Sequence, residues 1–138
     1  MAAIAFALVP AVQAHPTTAC DECKGGPKTY EWTGWKTLKT VCGVKLQVRY
    51  LLQYKWFGTK TESNIQYRYC NGSHNDMVAN LSDITLITES GQVYHFDGES
   101  VPVASGESVE GQVWTITQKG DDKLCRHGER FHPTRAGK

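Results

Sequence analysis

Beyond its first fourteen residues this sequence has no long apolar run, so no later segment is greasy enough to cross a membrane as a helix. It has no stretch of helical length with a sustained 3.6-residue hydrophobic period, which argues against helical bundles and coiled coils. It has almost no net charge, +1 at pH 7, and that by itself argues for no nucleic-acid or membrane partner. The G-x-S-x-G, H-E-x-x-H, P-loop and G-x-G-x-x-G patterns are all missing, as is any internal repeat. At 138 residues there is room for one domain and not for two ordinary ones.

What is present is alternation. In "GVKLQVRYLLQYKWFG" (43–58) the even positions from Val44 to Trp56 are all apolar or aromatic. The odd positions are Lys45, Gln47, Arg49, Leu51, Gln53 and Lys55, with no acid among them. This is a strand with one buried and one cationic side. "GTKTES" (58–63) reads as a turn and "NIQYRYC" (64–70) as its partner strand. Phe57 opposite Asn64 would bring Trp56 to Ile65, Tyr54 to Tyr67 and Leu52 to Tyr69, apolar to apolar throughout. "NGSHNDMVANLS" (71–82) reads as a polar loop. "DITLITESGQVYHFDG" (83–98) reads as a second hairpin turning at Ser90-Gly91, with Ile84 and Leu86 on one side and Ile87, Tyr94 and Phe96 on the other. Pro102 marks a loop or an edge, because it cannot donate to a ladder. Residues 110–122 give a further strand and "KLCRHGER" a short last one. The pattern predicts an all-β fold, an antiparallel β-sandwich of six to seven strands with a small β-barrel as the alternative, stapled by disulfides.

The chain divides accordingly. Residues 1–14, "MAAIAFALVPAVQA", read as a signal peptide ending in a small-x-small cleavage pattern. It lacks a positive n-region apart from the amino terminus, which leaves open a truncated start. Residues 15–28 are an irregular N-terminal segment, 29–127 a single β domain and 128–138 a basic flexible tail. Secretion fits the five cysteines, Cys20, Cys23, Cys42, Cys70 and Cys125, and the two N-x-S sequons at Asn71 and Asn80. An odd cysteine count leaves at least one unpaired within the chain. Two structural bridges are expected, one of them tying the Cys20/Cys23 segment to the body.

Charge is distributed unevenly. From Lys24 to Lys60 there are eight Lys or Arg and one acid, while from Thr61 to Cys125 there are ten acids and three bases. The halves can pair as neighbouring strands, or the cationic side can meet a partner. Sugars stack on exposed aromatic rings, and sulfated or phosphorylated ligands need positive charge. Lys45, Arg49 and Lys55, with Trp32 or Trp35, are therefore the ligand-binding candidates, and Lys36, Lys39 and Lys60 could extend the patch. A solvated outer side that only keeps the sheet soluble is an equally good account of the same residues.

Three classes of function follow. The first is a secreted, non-catalytic binding or interaction module for an anionic glycan, a cell-surface component or another extracellular protein, with no cofactor. The second is a small secreted enzyme. Cleavage after Ala14 would leave His15 as an amino-terminal copper ligand. Alternatively His127, Glu129, Arg130 and His132 could serve a hydrolase such as a ribonuclease. A zinc set of Cys20, Cys23, Cys125 and His127 is a weaker variant, since secreted chains commit cysteines to disulfides. The third is a secreted toxin or inhibitor.

Overall fold

A computed structural model describes residues 31–55 and 59–137. The expected signal peptide, His15, Cys20 and Cys23 lie outside them, and Lys55 is placed by its backbone alone. Every regular element is a strand: β1 (Lys36–Val41), β2 (Val44–Lys55), β3 (Lys60–Asn71), β4 (Met77–Thr88), β5 (Val93–Val103), β6 (Ser108–Lys119), β7 (Leu124–Phe131) and β8 (Thr134–Arg135). They form two antiparallel sheets, one in the order β1-β2-β3-β6 and one in the order β5-β4-β7, with β8 paired to β4. One core takes Val44, Leu46, Val48, Ile65, Tyr67 and Tyr69 from the first sheet and Ala79, Leu81, Ile84, Leu86 and Phe131 from the second. The arrangement is sandwich-like, as alternation along each strand requires.

The alternation in β2 holds. Val44, Leu46, Val48 and Leu52 are buried, while Lys45 is exposed and Arg49 half-buried on the opposite side. The predicted β2–β3 register does not hold. Lys55 pairs with Lys60, Tyr50 with Ile65, Val48 with Tyr67 and Leu46 with Tyr69. The strand begins at Lys60 instead of Asn64, so 60–63 is strand and not turn. Each β3 residue sits six positions from its predicted partner. Six is even, so every side chain keeps its predicted face, and alternation alone cannot detect such a slip.

In the second hairpin the turn falls as predicted, with Gly91 N bonded to Thr88 O and Thr88 N to Gln92 O. Its faces differ. Ile84 pairs with Phe96 and Leu86 with Tyr94, so all four share the core side. β4 reaches back to Met77 through the segment expected to be a loop, with Met77, Ala79 and Leu81 buried. Its inward positions are odd up to Leu81 and even from Ile84. The switch occurs at Asp83, whose φ is +53°, and β5 switches opposite at Gly98, φ +112°. Both strands bulge together, so their register is kept while the inward side chains change parity. Pro102 lies in β5, an edge strand, as its missing donor demands.

Residues from 128, expected as a loose tail, are strand to Phe131, and Thr134–Arg135 pair with Val78 and Met77. The cysteines also depart from expectation. Cys42 and Cys70 are free, and Cys125 is disulfide-bonded. With two of the five cysteines free, the remaining three can form one intrachain bridge and not two. Cys42 occupies the two-residue β1–β2 turn with Gly43, at φ +52° and +81°, the pattern a type I′ turn needs. Cys70 lies in β3 opposite Lys45.

Candidate functional site

The outer side of the first sheet is built around two arginines. Arg49 projects from β2 and Arg68 from β3, two residues apart in the ladder, because Gln47 pairs with Arg68 and Arg49 with Gln66. The chain leading into β1 runs beside β2. It is held by two hydrogen bonds, Thr33 N donating to Tyr50 O at 2.8 Å and Tyr50 N to Thr33 Oγ1 at 3.0 Å. That anchor lays both indoles on the guanidinium groups. Arg49 Cζ sits 4.4 Å from the Trp32 ring centre and 4.6 Å from that of Trp35. Arg68 Cζ sits 4.5 Å from Trp35. The result is an alternating stack, Trp32–Arg49–Trp35–Arg68. Each such contact contributes about 0.5–1 kcal/mol where exposed and more when desolvated.

Glutamines fix the guanidinium planes. Gln66 Oε1 accepts from Arg49 Nε at 2.9 Å and Nη2 at 2.6 Å, and its Nε2 donates to Gly111 O at 2.8 Å. Gln47 Oε1 accepts from Arg68 Nε at 2.8 Å and from the Cys70 thiol at 3.3 Å. Glu110 approaches Arg49 Nη2 at 3.8 Å from a carboxylate that is half exposed, a weak pair in that setting. The arginines are thus rigid, planar and only partly neutralised.

Of the residues singled out in the sequence, Trp32, Trp35 and Arg49 meet in this stack. Lys45 lies on the same side, exposed, in the row of Thr40 and Cys70. Lys55 belongs by register to the opposite end, in one row with Lys60 and Lys119. Like charges directly opposite one another are unfavourable in a sheet, and the exposed Lys60 and Lys119 occupy such a pair. Lys36 and Lys39 do not extend the patch. They pair with Val48 and Leu46, which face the core, and Lys39 Nζ turns to Glu129 Oε2 at 3.4 Å. Gln47 was placed on this side from the sequence, while its partner Arg68 and Gln66 opposite Arg49 were missed. With the observed register they were readable, since odd β2 positions face even β3 positions on the same side.

A second constellation lies inside, along the β1/β7 edge. The Tyr50 hydroxyl is hydrogen-bonded to His127 Nδ1 at 2.5 Å, and His127 Nε2 lies 3.3 Å from Glu129 Oε1. A carboxylate beside Nε2 favours the tautomer with its proton there, which leaves Nδ1 to accept from the Tyr50 hydroxyl. Burial, with Lys36 and Lys39 nearby, lowers His127 to about 4, so the ring is neutral at pH 7. Burial raises Glu129, against the pull of Lys39. Burial and then Glu129 raise Tyr50 beyond the ordinary phenol range. His127 and Glu129 share a side because they are two residues apart on a strand, a spacing visible in "HGE". Arg130 and His132 are exposed instead, Arg130 with its Nε 3.5 Å from Asp83, so the proposed hydrolytic four do not converge.

Tyr67 is fully buried beside His127, with ring centres 6.1 Å apart, and its hydroxyl has no hydrogen-bond partner. A buried hydroxyl without a partner costs about 1–3 kcal/mol. Tyr67→Phe is therefore expected to leave stability unchanged or raise it by about 1 kcal/mol, measured as the midpoint of urea unfolding. A loss of that size or more would show that the hydroxyl is satisfied.

The sequon asparagines differ. Asn71 is 2% exposed, and its Nδ2 donates to Asn75 O at 2.8 Å and Val103 O at 2.9 Å. Asn80, half-buried within β4, donates to His132 O at 2.8 Å and accepts from Ser100 Oγ at 2.8 Å. Among the described residues no group of three or more His, Cys, Asp or Glu is placed to hold a metal ion. No known protein family matches the chain, and no curated protein matches it.

Proposed function

We propose that the protein is a secreted, non-catalytic binding module on a β-sandwich, and that the outer side of its first sheet contacts an anionic glycan. The observation that carries this is the Trp32–Arg49–Trp35–Arg68 stack. It combines the outer face of Trp32, the one ring face of the stack not covered by a guanidinium, with fixed guanidinium edges for sulfate or carboxylate. Lys45 lies at one end of this side and the Lys60–Lys119 pair at the other, with Glu62 opposite Gln53 as the acid between them. From Lys45 to Lys55 this side spans roughly 33 Å at the usual strand rise, the length of an oligosaccharide and not of a single ion.

An enzyme built on Tyr50, His127 and Glu129 is the second reading, favoured by their mutual bonding. Both ring nitrogens of His127 are engaged by these two partners, which leaves none for a substrate. The binding reading is therefore preferred. A glycan at either sequon would displace side-chain amide bonds, those of Asn71 Nδ2 to Asn75 O and Val103 O or those of Asn80 Nδ2 to His132 O and Thr134 Oγ1.

The test is retention on a heparin column at low salt. The wild type should bind and elute with salt, while the Lys45→Ser/Arg49→Ser/Lys55→Ser triple variant should pass unretained with unchanged far-ultraviolet circular dichroism. Arg49→Lys should keep part of the retention, since charge survives and the stacked plane does not. Equal retention of the triple variant and the wild type would reject the surface.

A further inference from the structure

The stack explains why two tryptophans stand near β1, but not their spacing. Trp32 and Trp35 lie three residues apart in "EWTGWK" (31–36). The other two tryptophans, Trp56 and Trp114, have Thr59 and Thr117 at that distance. Two tryptophans so spaced are the acceptor pattern of the transferases that join mannose to carbon in the secretory pathway, and the first tryptophan takes the sugar.

The indole supplies a carbon suited to this bond. Its pyrrole ring is electron-rich, and Cγ already carries the side chain, so Cδ1 is the ring carbon left to meet an electrophilic sugar. The fold accommodates the product. Arg49 holds Trp32 by a face, with Cζ 4.4 Å from the ring centre. A substituent on Cδ1 lies in the ring plane and leaves that face contact intact. Trp32 is half-buried at the end of the stack, whereas Trp35 is stacked by two guanidinium groups. The segment is anchored through Thr33 N and Thr33 Oγ1, so its hydrogen bonds to β2 make no use of the indole. The sequons offer the opposite case, because Nδ2 of Asn71 and of Asn80 is already bonded.

We propose that Trp32 is the acceptor of a carbon-linked mannose, selected by Trp35 three residues on. In the step, the bond between the anomeric carbon of a polyprenyl-phosphate mannose and its phosphate oxygen breaks. A bond forms from that carbon to Trp32 Cδ1. The Cδ1 proton passes to a base of the transferase, the ring regains its aromaticity, and polyprenyl phosphate leaves, with nothing oxidised or reduced. The inference rests on the reading that the chain is secreted, and not on the anionic-glycan ligand.

The experiment expresses the chain in mammalian cells twice, once with its own first fourteen residues and once with a well-characterised signal peptide in their place. Trypsin releases residues 29–36, TYEWTGWK, from either form. From the medium this peptide should be one hexose heavier, with the added mass on Trp32. On fragmentation the sugar should break across its own ring, since a carbon–carbon link does not let it leave whole. Cells without the carbon-directed mannosyltransferases should give the unmodified peptide. Trp35→Ala should lose the addition, read on cell extract as well as medium so that a folding failure does not hide it. An unmodified peptide in the secreted protein, a hexose on Trp35 alone, a hexose on Trp32 that persists in Trp35→Ala, or a sugar that leaves whole from Thr29, Tyr30 or Thr33 would overturn the proposal. Retention in the cell of the form with its own first fourteen residues, with Trp32 modified in the other form, would count against secretion and support the acceptor.

Discussion

Gly98→Ala is expected to abolish cooperative folding or to destabilise the protein by more than about 4 kcal/mol. A Cβ there would lie 1.9 Å from Leu81 O, 2.7 Å from Leu81 C and 2.8 Å from Ser82 Cα. All three atoms are backbone of the neighbouring strand, so none can swing aside as a side chain could. Gly98 also sits at φ +112°, where an L residue is strained before it meets any neighbour. The position matters beyond its own contacts. It is where β5 changes which parity faces inward, so displacing it would misdirect Tyr94 and Phe96 on one side and Glu99 on the other. Glu99 joins the sheets by accepting from Tyr69 OH at 2.5 Å and from Gln112 N at 3.1 Å. Gly91→Ala is the control. Its φ is +94° but nothing lies within 4 Å of the added carbon, so it should cost only about 1–2 kcal/mol of backbone strain. Urea unfolding of both variants measures the difference. Equal midpoints for the two would contradict the double-bulge account.

The second large effect is alkaline unfolding. Tyr50, Tyr67 and Tyr69 point into the space between the sheets, and burial raises each phenol well above its usual value of 10.0. Glu129 adds to the rise at Tyr50 and Tyr67, and the hydrogen bond to Glu99 adds to it at Tyr69. The folded values exceed the unfolded ones, so the stability linked to these groups is fully present below pH 10 and is lost as pH rises above it. Each retained proton contributes a slope of about 1.4 kcal/mol per pH unit, so three together give about 4. A domain with an ordinary reserve of about 5–15 kcal/mol should unfold within one to a few pH units above the ordinary phenol value. Tyrosinate absorbance and far-ultraviolet circular dichroism, followed together, test this. Three of the six tyrosines should ionise only in the unfolding transition. Smooth ionisation of all six near pH 10 with the strands intact would contradict the placement of these side chains.

How far the fold could be read from the chain depended on which symmetry each segment broke. β2 declared its faces because a lysine, an arginine and glutamines alternate with aliphatic side chains. Its register stayed hidden, because Lys60, Thr61, Glu62 and Ser63 look like turn residues, and any even slip pairs apolar with apolar. In the second hairpin the error was one of parity. Ile84 and Phe96 share a side only if the partner numbers sum to an even value, and the turn residues alone do not decide that. Gly98 within a strand pattern was the available sign of a bulge. Met77, Ala79 and Leu81 carried a clear period of two, masked by the polar residues and sequons around them. The candidate site was half legible. Trp32, Trp35 and Arg49 were named from residue type, but Arg68 joined them only through the pairing of β3. Lys39 was assigned to the wrong side because β1 shifts register between Thr37 and Lys39, and that shift leaves no mark in the sequence.

The claim that organises the rest is that the tryptophan–arginine side of the first sheet is where a ligand sits. It is tested most directly by amide chemical-shift mapping of the full chain against a size-defined heparin tetrasaccharide. The account predicts perturbations concentrated at Trp35, Lys45, Gln47, Arg49 and Arg68, together with the indole N–H signals of Trp32 and Trp35. Perturbations confined to β4, β5 and β7, or none at saturating tetrasaccharide, would contradict it.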